Sequence, residues 1–322
     1  MKGLRIGVIG TGHMGKNHVR ILSEERCFDL IGVYDTDIRQ AHEVADKKEI
    51  KVYEDIDELL NDAEAVVIAV PSSIHREIAL KAAKAGVNAL VEKPLATTSE
   101  DALIIKEAFE KAGLKLAVGH IERFNPVFRE LQKLTESEQV YCIESVRYSP
   151  YSGSGRITDT SVVEDLMIHD VDLVCALMKE KSIRSVSGTG EKVRSSQTDF
   201  ATGLLRFDDD THAVINASRV SQNKERRLTV HTVEKCIIAD LLERTLSIYK
   251  STNLTIDLTR DNSYVQDSVV QKVYIPLVEP LRAELISFYE AVANGKDILV
   301  GGEDGINAIS ICQQIIRSIN EK

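Results

Sequence analysis

The sequence predicts an α/β protein of two domains. The first, residues 1–120, is a doubly wound parallel sheet, and the second, residues 121–322, is an α+β domain with a large, mostly antiparallel sheet. Three observations lead there. Short apolar, β-branched runs alternate with stretches of helical periodicity as far as residue 120. Beyond that point strand candidates follow one another with few helices between them. The length of 322 residues, at about 150 per domain, fits two domains.

Leu4–Ile9 is largely apolar and is followed by glycine, the profile of a buried parallel strand. Met14, Val19 and Leu22 among polar residues mark the helix after it. Leu30–Tyr34 repeats the strand pattern and ends in Asp35-Thr36-Asp37, which has turn or capping chemistry. Lys51–Tyr53 is a weaker strand candidate, and Ala65–Val70, stopped by Pro71, is a strong one. Val87–Val91, stopped before Pro94, and Lys115–Val118 complete the set. Ile74–Ala85 and Thr98–Ala112 are alanine-rich and helical in period. Strands joined through helices of this length need crossovers, hence a parallel sheet covered on both faces.

In the second half, strand candidates are Val140–Tyr148, Ile183–Gly188, Ala201–Phe207, Ala213–Ser218, Leu228–Thr232 and Lys235–Ala239. Asp208-Asp209-Asp210 sits between two of them as a hairpin loop. Helices are expected at Val162–Met178, Leu281–Ala293 and Asp304–Ile319. They can cover one face of a largely antiparallel sheet, leaving the other to solvent or another subunit.

Composition narrows the function classes. The chain is 43% hydrophobic, with 18 Gly and 6 Pro, which excludes collagen-like, low-complexity and largely disordered readings. A formal net charge of −10 gives an average field that repels nucleic acid and anionic membranes. Cys27, Cys142, Cys175, Cys236 and Cys312 form no C-x-x-C pair, so neither a zinc knuckle nor a disulfide framework is written here, and a reducing compartment fits. The start, MKGLRIGVIG, is too soon broken by glycine for a signal peptide. No apolar run is long enough to span a bilayer, so a soluble, cytoplasmic protein is expected.

Gly10-Thr11-Gly12-His13-Met14-Gly15 is G-x-G-x-x-G placed after a strand and before a helix. In that setting Gly10 permits the tight turn, Gly12 lets the backbone approach a pyrophosphate, and Gly15 lets helix and strand pack closely. The pyrophosphate would rest on the amides at the positive end of the helix. Asp35 ends the second strand where a carboxylate takes a ribose 2′-hydroxyl, which favours NAD over NADP. Arg39 offsets part of that preference, because it could swing onto a 2′-phosphate.

Glu92-Lys93-Pro94 lies at the carboxyl end of a predicted parallel strand, where ligands of open α/β sheets gather. Lys93 there can polarise a substrate oxygen, although a surface lysine reads the same on spacing alone. Asp165 and His169 are i and i+4 on a predicted helix and share a face, suiting an imidazole base oriented by a carboxylate. With Glu164, Asp170 and Asp172 nearby, the same residues also read as a solvated acidic face. His75 follows Pro71-Ser72-Ser73 and either lines the cofactor cleft or fills a helix start. The run from Gly119 to Pro126, with His120 and Arg123, is polar and kinked and reads as a hinge or active-site wall. No H-x-x-x-H or H-E-x-x-H pattern occurs, so no metal site is expected.

The segments VIGTGHMG, AVPSSIH, GVNALVEKPLA, GHIERFNP and EDLMIHDVDLV, with the strand ending at Asp35, resemble the glucose–fructose oxidoreductase/inositol dehydrogenase/rhizopine-catabolism (Gfo/Idh/MocA) family. Glu284, Phe288, Gly295 and Asp304-Gly305 resemble its C-terminal helices, so the likeness covers essentially the whole chain. It implies an N-terminal Rossmann domain and a C-terminal open sheet often used for dimer or tetramer assembly. It also implies that Lys93, Asp165 and His169 stand at catalytic positions. One departure is Asp159-Thr160-Ser161-Val162-Val163, where many members carry a glycine cluster. GHIERFNP with DLMIHDVDLV is most similar to the nucleotide-sugar branch, especially UDP-N-acetylglucosamine 3-dehydrogenases. Arg147 and Arg156 would then meet a diphosphate, the alternative being exposed loop arginines.

The expectation is NAD-dependent oxidation of a sugar ring hydroxyl to a ketone, with Gly10 to Gly15, Asp35, Pro71, Ser72, His75, Glu92 and Lys93 around the cofactor. His120, Arg123, Arg147 and Arg156 are the substrate candidates. A free-sugar or inositol-type dehydrogenase is the alternative within enzymology. A non-catalytic dinucleotide sensor is the alternative outside it.

Overall fold

The computed structural model describes residues 3–151, 160–256 and 264–321. The chain forms two compact units, Met1–Phe124 with Glu279–Ser310, and Asn125–Val278 with Ile311–Lys322. The pattern change near residue 120 lies close to the first crossing, but 121–322 is not one block: Glu279–Ser310 returns to the first unit.

The first unit runs β1 (Leu4–Ile9), α1 (His13–Glu24), β2 (Phe28–Tyr34), α2 (Ile38–Ala45), β3 (Lys51–Val52), α3 (Ile56–Asp62), β4 (Ala65–Ile68), α4 (His75–Lys84), β5 (Asn88–Glu92), α5 (Ser99–Ala112) and β6 (Leu116–Gly119). The six strands pair in parallel in the order β3-β2-β1-β4-β5-β6. The order reverses direction between β1 and β4, and at such a switch point the carboxyl ends of neighbouring strands open a crevice for ligands. Helices α2 and α3 escaped the sequence reading, yet each has a legible cap. Asp37 accepts from the Arg39 and Gln40 amides, and Asp55 from the Asp57 amide. Thr98 caps α5, which Gly113 ends in the left-handed region at φ 68°.

The second unit runs α6 (Pro126–Thr135), β7 (Val140–Pro150), a π-helical turn at Val163–Met167, α7 (Ile168–Leu177), β8 (Ile183–Glu191), β9 (Phe200–Phe207), β10 (His212–Ser221), β11 (Glu225–Thr232), β12 (Cys236–Asp240), β13 (Thr245–Ile256) and β14 (Tyr264–Val273). Its sheet has the order β14-β13-β12-β11-β7-β10-β9-β8, parallel only between β7 and β10. Burial alternates along β9, β10 and β12, as a sheet covered on one face requires. Strands β13 and β14 were not foreseen, because TLSIYKSTNLTI alternates mostly among polar residues. Helix α6 was missed although Asn125 caps it and Pro126 occupies its first turn.

Helix α8 (Pro280–Ala293) then completes the first unit. Its Leu281, Leu285 and Phe288 join Ile6, Val8, Leu22, Val33 and Val67 in one core cluster. Helix α9 (Gly302–Asn320) belongs to the first unit up to Ser310 and to the second from Ile311.

Candidate active site

In the first unit the glycine turn has the geometry that its spacing predicts. Gly10 has φ +92°, and a Cβ there would stand 2.6 Å from the Ala69 carbonyl oxygen. At Gly15 a Cβ would stand 1.9 Å from the Gly10 carbonyl oxygen, so helix and turn close only around hydrogen. At Gly12 nothing lies within 4 Å of where a Cβ would go. The fold therefore forbids a side chain at Gly15 for its own reasons, whereas Gly12 faces open space. Gly12 is also the N-cap of α1, with no side chain satisfying the first turn and no acidic residue in it. Amides of that turn lack intrahelical acceptors and present a positive end to an anion. His13 and Met14 begin this helix, His13 exposed and Met14 half-buried.

Asp35 is tied to the same turn. Its Oδ2 accepts from the Thr11 amide at 2.6 Å and the Thr11 hydroxyl at 2.8 Å, and its Oδ1 from the Asp37 amide at 2.9 Å. Gln40 Nε2 also reaches Oδ2, at 3.3 Å. Burial alone would raise the pKa of this carboxyl, but these hydrogen bonds outweigh it and hold it below the usual value. The acid at the end of β2 thus keeps its negative charge beside the dinucleotide turn.

Pro71 is exposed and Ser72 half-buried, at the end of β4. His75 is 1% exposed and joins two loops, its Nε2 2.9 Å from the Val70 carbonyl and its Nδ1 2.8 Å from the Pro94 carbonyl. Burial pushes its pKa down against the pull of those carbonyls. Standing at the start of α4, it links the loops that follow β4 and β5. Glu92 is buried, its Oε1 2.8 Å from Nε2 of a wholly buried His18, and its Oε2 accepts from the Lys93 amide at 3.3 Å. Its carboxylate therefore turns inward to support the strand end rather than outward to a cofactor. Lys93 is half-buried at the end of β5.

In the second unit Asp165 lies in the π-helical turn and His169 in the first turn of α7, both half-buried. Single π turns inside α-helices often mark functional sites. Ser161 and Glu164 make a capping box at this end: the Val163 amide donates to Ser161 Oγ at 3.0 Å and the Ser161 amide to Glu164 Oε2 at 3.1 Å. Asp170 anchors α7 to β7, accepting from Ser145 Oγ at 2.7 Å and Arg147 Nε at 2.5 Å. The helix that carries His169 is thus pinned from its next residue.

The arginine expectations change most. Arg147 is on strand β7, not a loop, and is 2% exposed in its pair with Asp170. Its guanidinium is committed to the fold and is not on offer to a diphosphate. Arg123, 8% exposed, is likewise paired with Asp304 within the first unit, at 2.5 Å. His120 is wholly buried. Arg156 lies outside the described residues. His18 and Glu284 are buried titratable residues to which the sequence reading assigned no part in the site. Both occupy core-facing positions of their helices, beside Val19 and Leu22 in α1 and beside Leu281, Leu285 and Phe288 in α8. A titratable residue on an apolar stripe was the available signal.

Among the described residues no group of His, Cys, Asp or Glu could hold a metal ion, and no helix is long and apolar enough to cross a membrane. The glycine turn, the uncapped helix start and Asp35 fit a dinucleotide.

Comparison with known proteins agrees. The family model for the oxidoreductase family with NAD-binding Rossmann fold matches residues 4–120, and that for the GFO/IDH/MocA C-terminal domain matches residues 141–237. UDP-N-acetylglucosamine 3-dehydrogenase of Acidithiobacillus ferrooxidans is 30% identical over 312 residues, 97% of this chain and 96% of that protein. Its solved structure superposes with a TM-score of 0.90 at 29% identity, covering 100% of this chain and 99% of that one. Inositol 2-dehydrogenase of Rhizobium meliloti is 24% identical over 333 residues, 99% of this chain and 98% of that protein. The fold is also that of GenD2 from gentamicin A biosynthesis, solved in complex with NAD, at a TM-score of 0.80 and 22% identity over 100% of this chain and 95% of that one.

Proposed function

This chain belongs to the GFO/IDH/MocA oxidoreductase family, and from that premise we propose that it oxidises a ring hydroxyl of a nucleotide sugar such as UDP-N-acetylglucosamine to a ketone, with NAD as acceptor. The observation that carries the cofactor half is the open Gly12 at the uncapped start of α1, with Asp35 bound to the same turn. The charge on Asp35 disfavours a 2′-phosphate, which supports NAD over NADP. The substrate half is supported by full-length likeness to a UDP-N-acetylglucosamine 3-dehydrogenase.

A bound nicotinamide supplies the electron-pair acceptor for the carbinol carbon. In this reading Lys93 polarises the reacting oxygen and His169 takes its proton. Asp165 orients His169 or holds a neighbouring hydroxyl. Replacing Lys93 or His169 by alanine should lower turnover by about a hundredfold or more while NAD still binds; near-normal turnover in both variants would refute the assignment.

Inositol dehydrogenases among the relatives support a second reading, oxidation of a free polyol or sugar. Competition by UDP separates the two, because a free-sugar enzyme ignores it. A dinucleotide sensor without catalysis is disfavoured by Lys93, Asp165 and His169 together, which a sensor does not need. The reading further includes a cytoplasmic location, supported by five described cysteines of which none is in a disulfide. It includes a dimer or tetramer assembled through the uncovered face of the eight-stranded sheet.

A further inference from the structure

Lys93 follows Glu92 and precedes Pro94, and both neighbours are held by side chains that the chemistry above does not use. On one side stands His18 of α1, wholly buried on the stripe that carries Val19, Ile21 and Leu22. Its Nε2 lies 2.8 Å from Glu92 Oε1, while its buried Nδ1 has no hydrogen-bond partner. An unpaired nitrogen in an apolar core is a cost that leucine would not carry. What the imidazole adds is its bond to Glu92. The other oxygen of that carboxylate, Oε2, accepts from the Lys93 amide at 3.3 Å. The sheet keeps room for it: Glu92 pairs with Gly119 of β6, where a Cβ would stand 3.0 Å from Oε2 and 3.1 Å from the Glu92 Cα.

On the other side is His75, at the start of α4. Its Nδ1 lies 2.8 Å from the Pro94 carbonyl oxygen and its Nε2 2.9 Å from that of Val70, so the ring ties the chain just past Lys93 to the chain just past β4. Leu95 and Ala96 then run on into the core. Half-buried Lys93 thus projects from a backbone secured before and after it. A functional group is placed closely only when the residues around it are themselves locked by packing and hydrogen bonds. Helix α1 joins two tasks here, because the same element starts at the glycine turn and carries His18.

We propose that His18 and His75 are positioning residues, acting through Glu92 and Pro94 to fix where Lys93 leaves the sheet and so how it meets the reacting oxygen. This rests on the reading of Lys93 given above. Neither ring has to touch substrate or change its charge. Without His18, the Glu92 side chain loses its anchor and the Lys93 amide a fixed acceptor. Misplacing a polarising group by about 1 Å costs up to about a hundredfold in turnover. The loss falls on kcat more than on KM, because charge on the oxygen develops in the transition state.

The test uses the full chain. Turnover of UDP-N-acetylglucosamine and of inositol with NAD is measured beside the melting temperature and the deuterium exchange of the Lys93 amide. His18→Leu should fold, exchange that amide faster, and lower kcat by about tenfold or more with little change in KM. His18→Gln, which returns an amide nitrogen near the place of Nε2, should restore most of both. In a Lys93→Ala background His18→Leu should cost nothing further, since a residue that acts through another adds nothing once that other is gone. Should His18→Leu not fold, His75→Leu carries the same cycle from the other side; failure of both to fold assigns the rings to stability and overturns their positioning role. Unchanged kcat or exchange in folded His18→Leu, or losses that multiply in the double variant, overturns the proposal alone. Wild-type turnover in Lys93→Ala, or a wild-type chain that forms no NADH from either substrate, overturns the catalytic reading and this proposal with it.

Discussion

Substitution of Gly12 and of Gly15 by alanine should have opposite outcomes, although both belong to one short motif. The Gly12→Ala variant meets no protein atom within 4 Å and should fold with an unchanged melting temperature. It should lose about tenfold or more in NAD affinity, because the new methyl stands where the pyrophosphate approaches. Gly15→Ala puts a methyl 1.9 Å from a backbone oxygen and should lower the melting temperature before any ligand is added. Fluorescence titration with NADH alongside thermal melting checks both; equal affinity in Gly12→Ala and wild type would remove the turn from the cofactor site. At this scale the sequence was legible where chemistry depends on local order, as in the glycine turn and Asp35. It was not legible for Arg147 and Arg123. Whether an arginine faces a ligand or a buried carboxylate depends on Asp170 or Asp304, partners distant in the chain.

Among elements, those with strong apolar contrast were readable and those without it were not. β4 is buried throughout and was found, whereas β14 carries Gln266, Ser268, Gln271 and Lys272 and was not. The π turn could not be seen either, because VEDLM has ordinary helical composition and the extra residue per turn comes from packing. The loop after β8 is a further case, its shape set by one carboxylate. Asp199 accepts from the amides of Val193, Arg194 and Ser195 at 2.6–2.8 Å, from Ser195 Oγ at 2.7 Å and from Arg219 Nε at 2.8 Å. Burial alone would raise its pKa, but these donors hold it far below the ordinary 3.8. A carboxyl depressed in this way stabilises the fold above its unfolded pKa, and the contribution is lost as pH falls below about 3.8. Asp199→Asn should therefore cost about 3 kcal/mol at neutral pH and flatten the acid limb of the stability profile. Chemical denaturation at several pH values checks this, and an unchanged acid limb would show that the loop does not depend on this charge.

For the molecule as a whole, composition and the change of pattern near residue 120 were enough to predict two sheets of different kinds, but not how the chain divides between them. One face of the eight-stranded sheet carries Tyr249, 41% exposed, opposite Val270, 48% exposed. If that face assembles copies, light scattering should give a multiple of the 35.7 kDa chain mass, and Tyr249→Glu should bring it down to one. A wild-type mass of 35.7 kDa would end the assembly proposal. The return of Glu279–Ser310 has a consequence for biosynthesis. On the ribosome, Ile6, Val8 and Val67 emerge early, but Leu281, Leu285 and Phe288, which pack with them, follow only after all of Asn125–Val278. Until then the nascent first unit lacks the α8 part of its core cluster, while eight further strands are translated. Slow elongation would therefore expose this protein to holdase chaperones at its amino-terminal half, which begins synthesis first and is completed late.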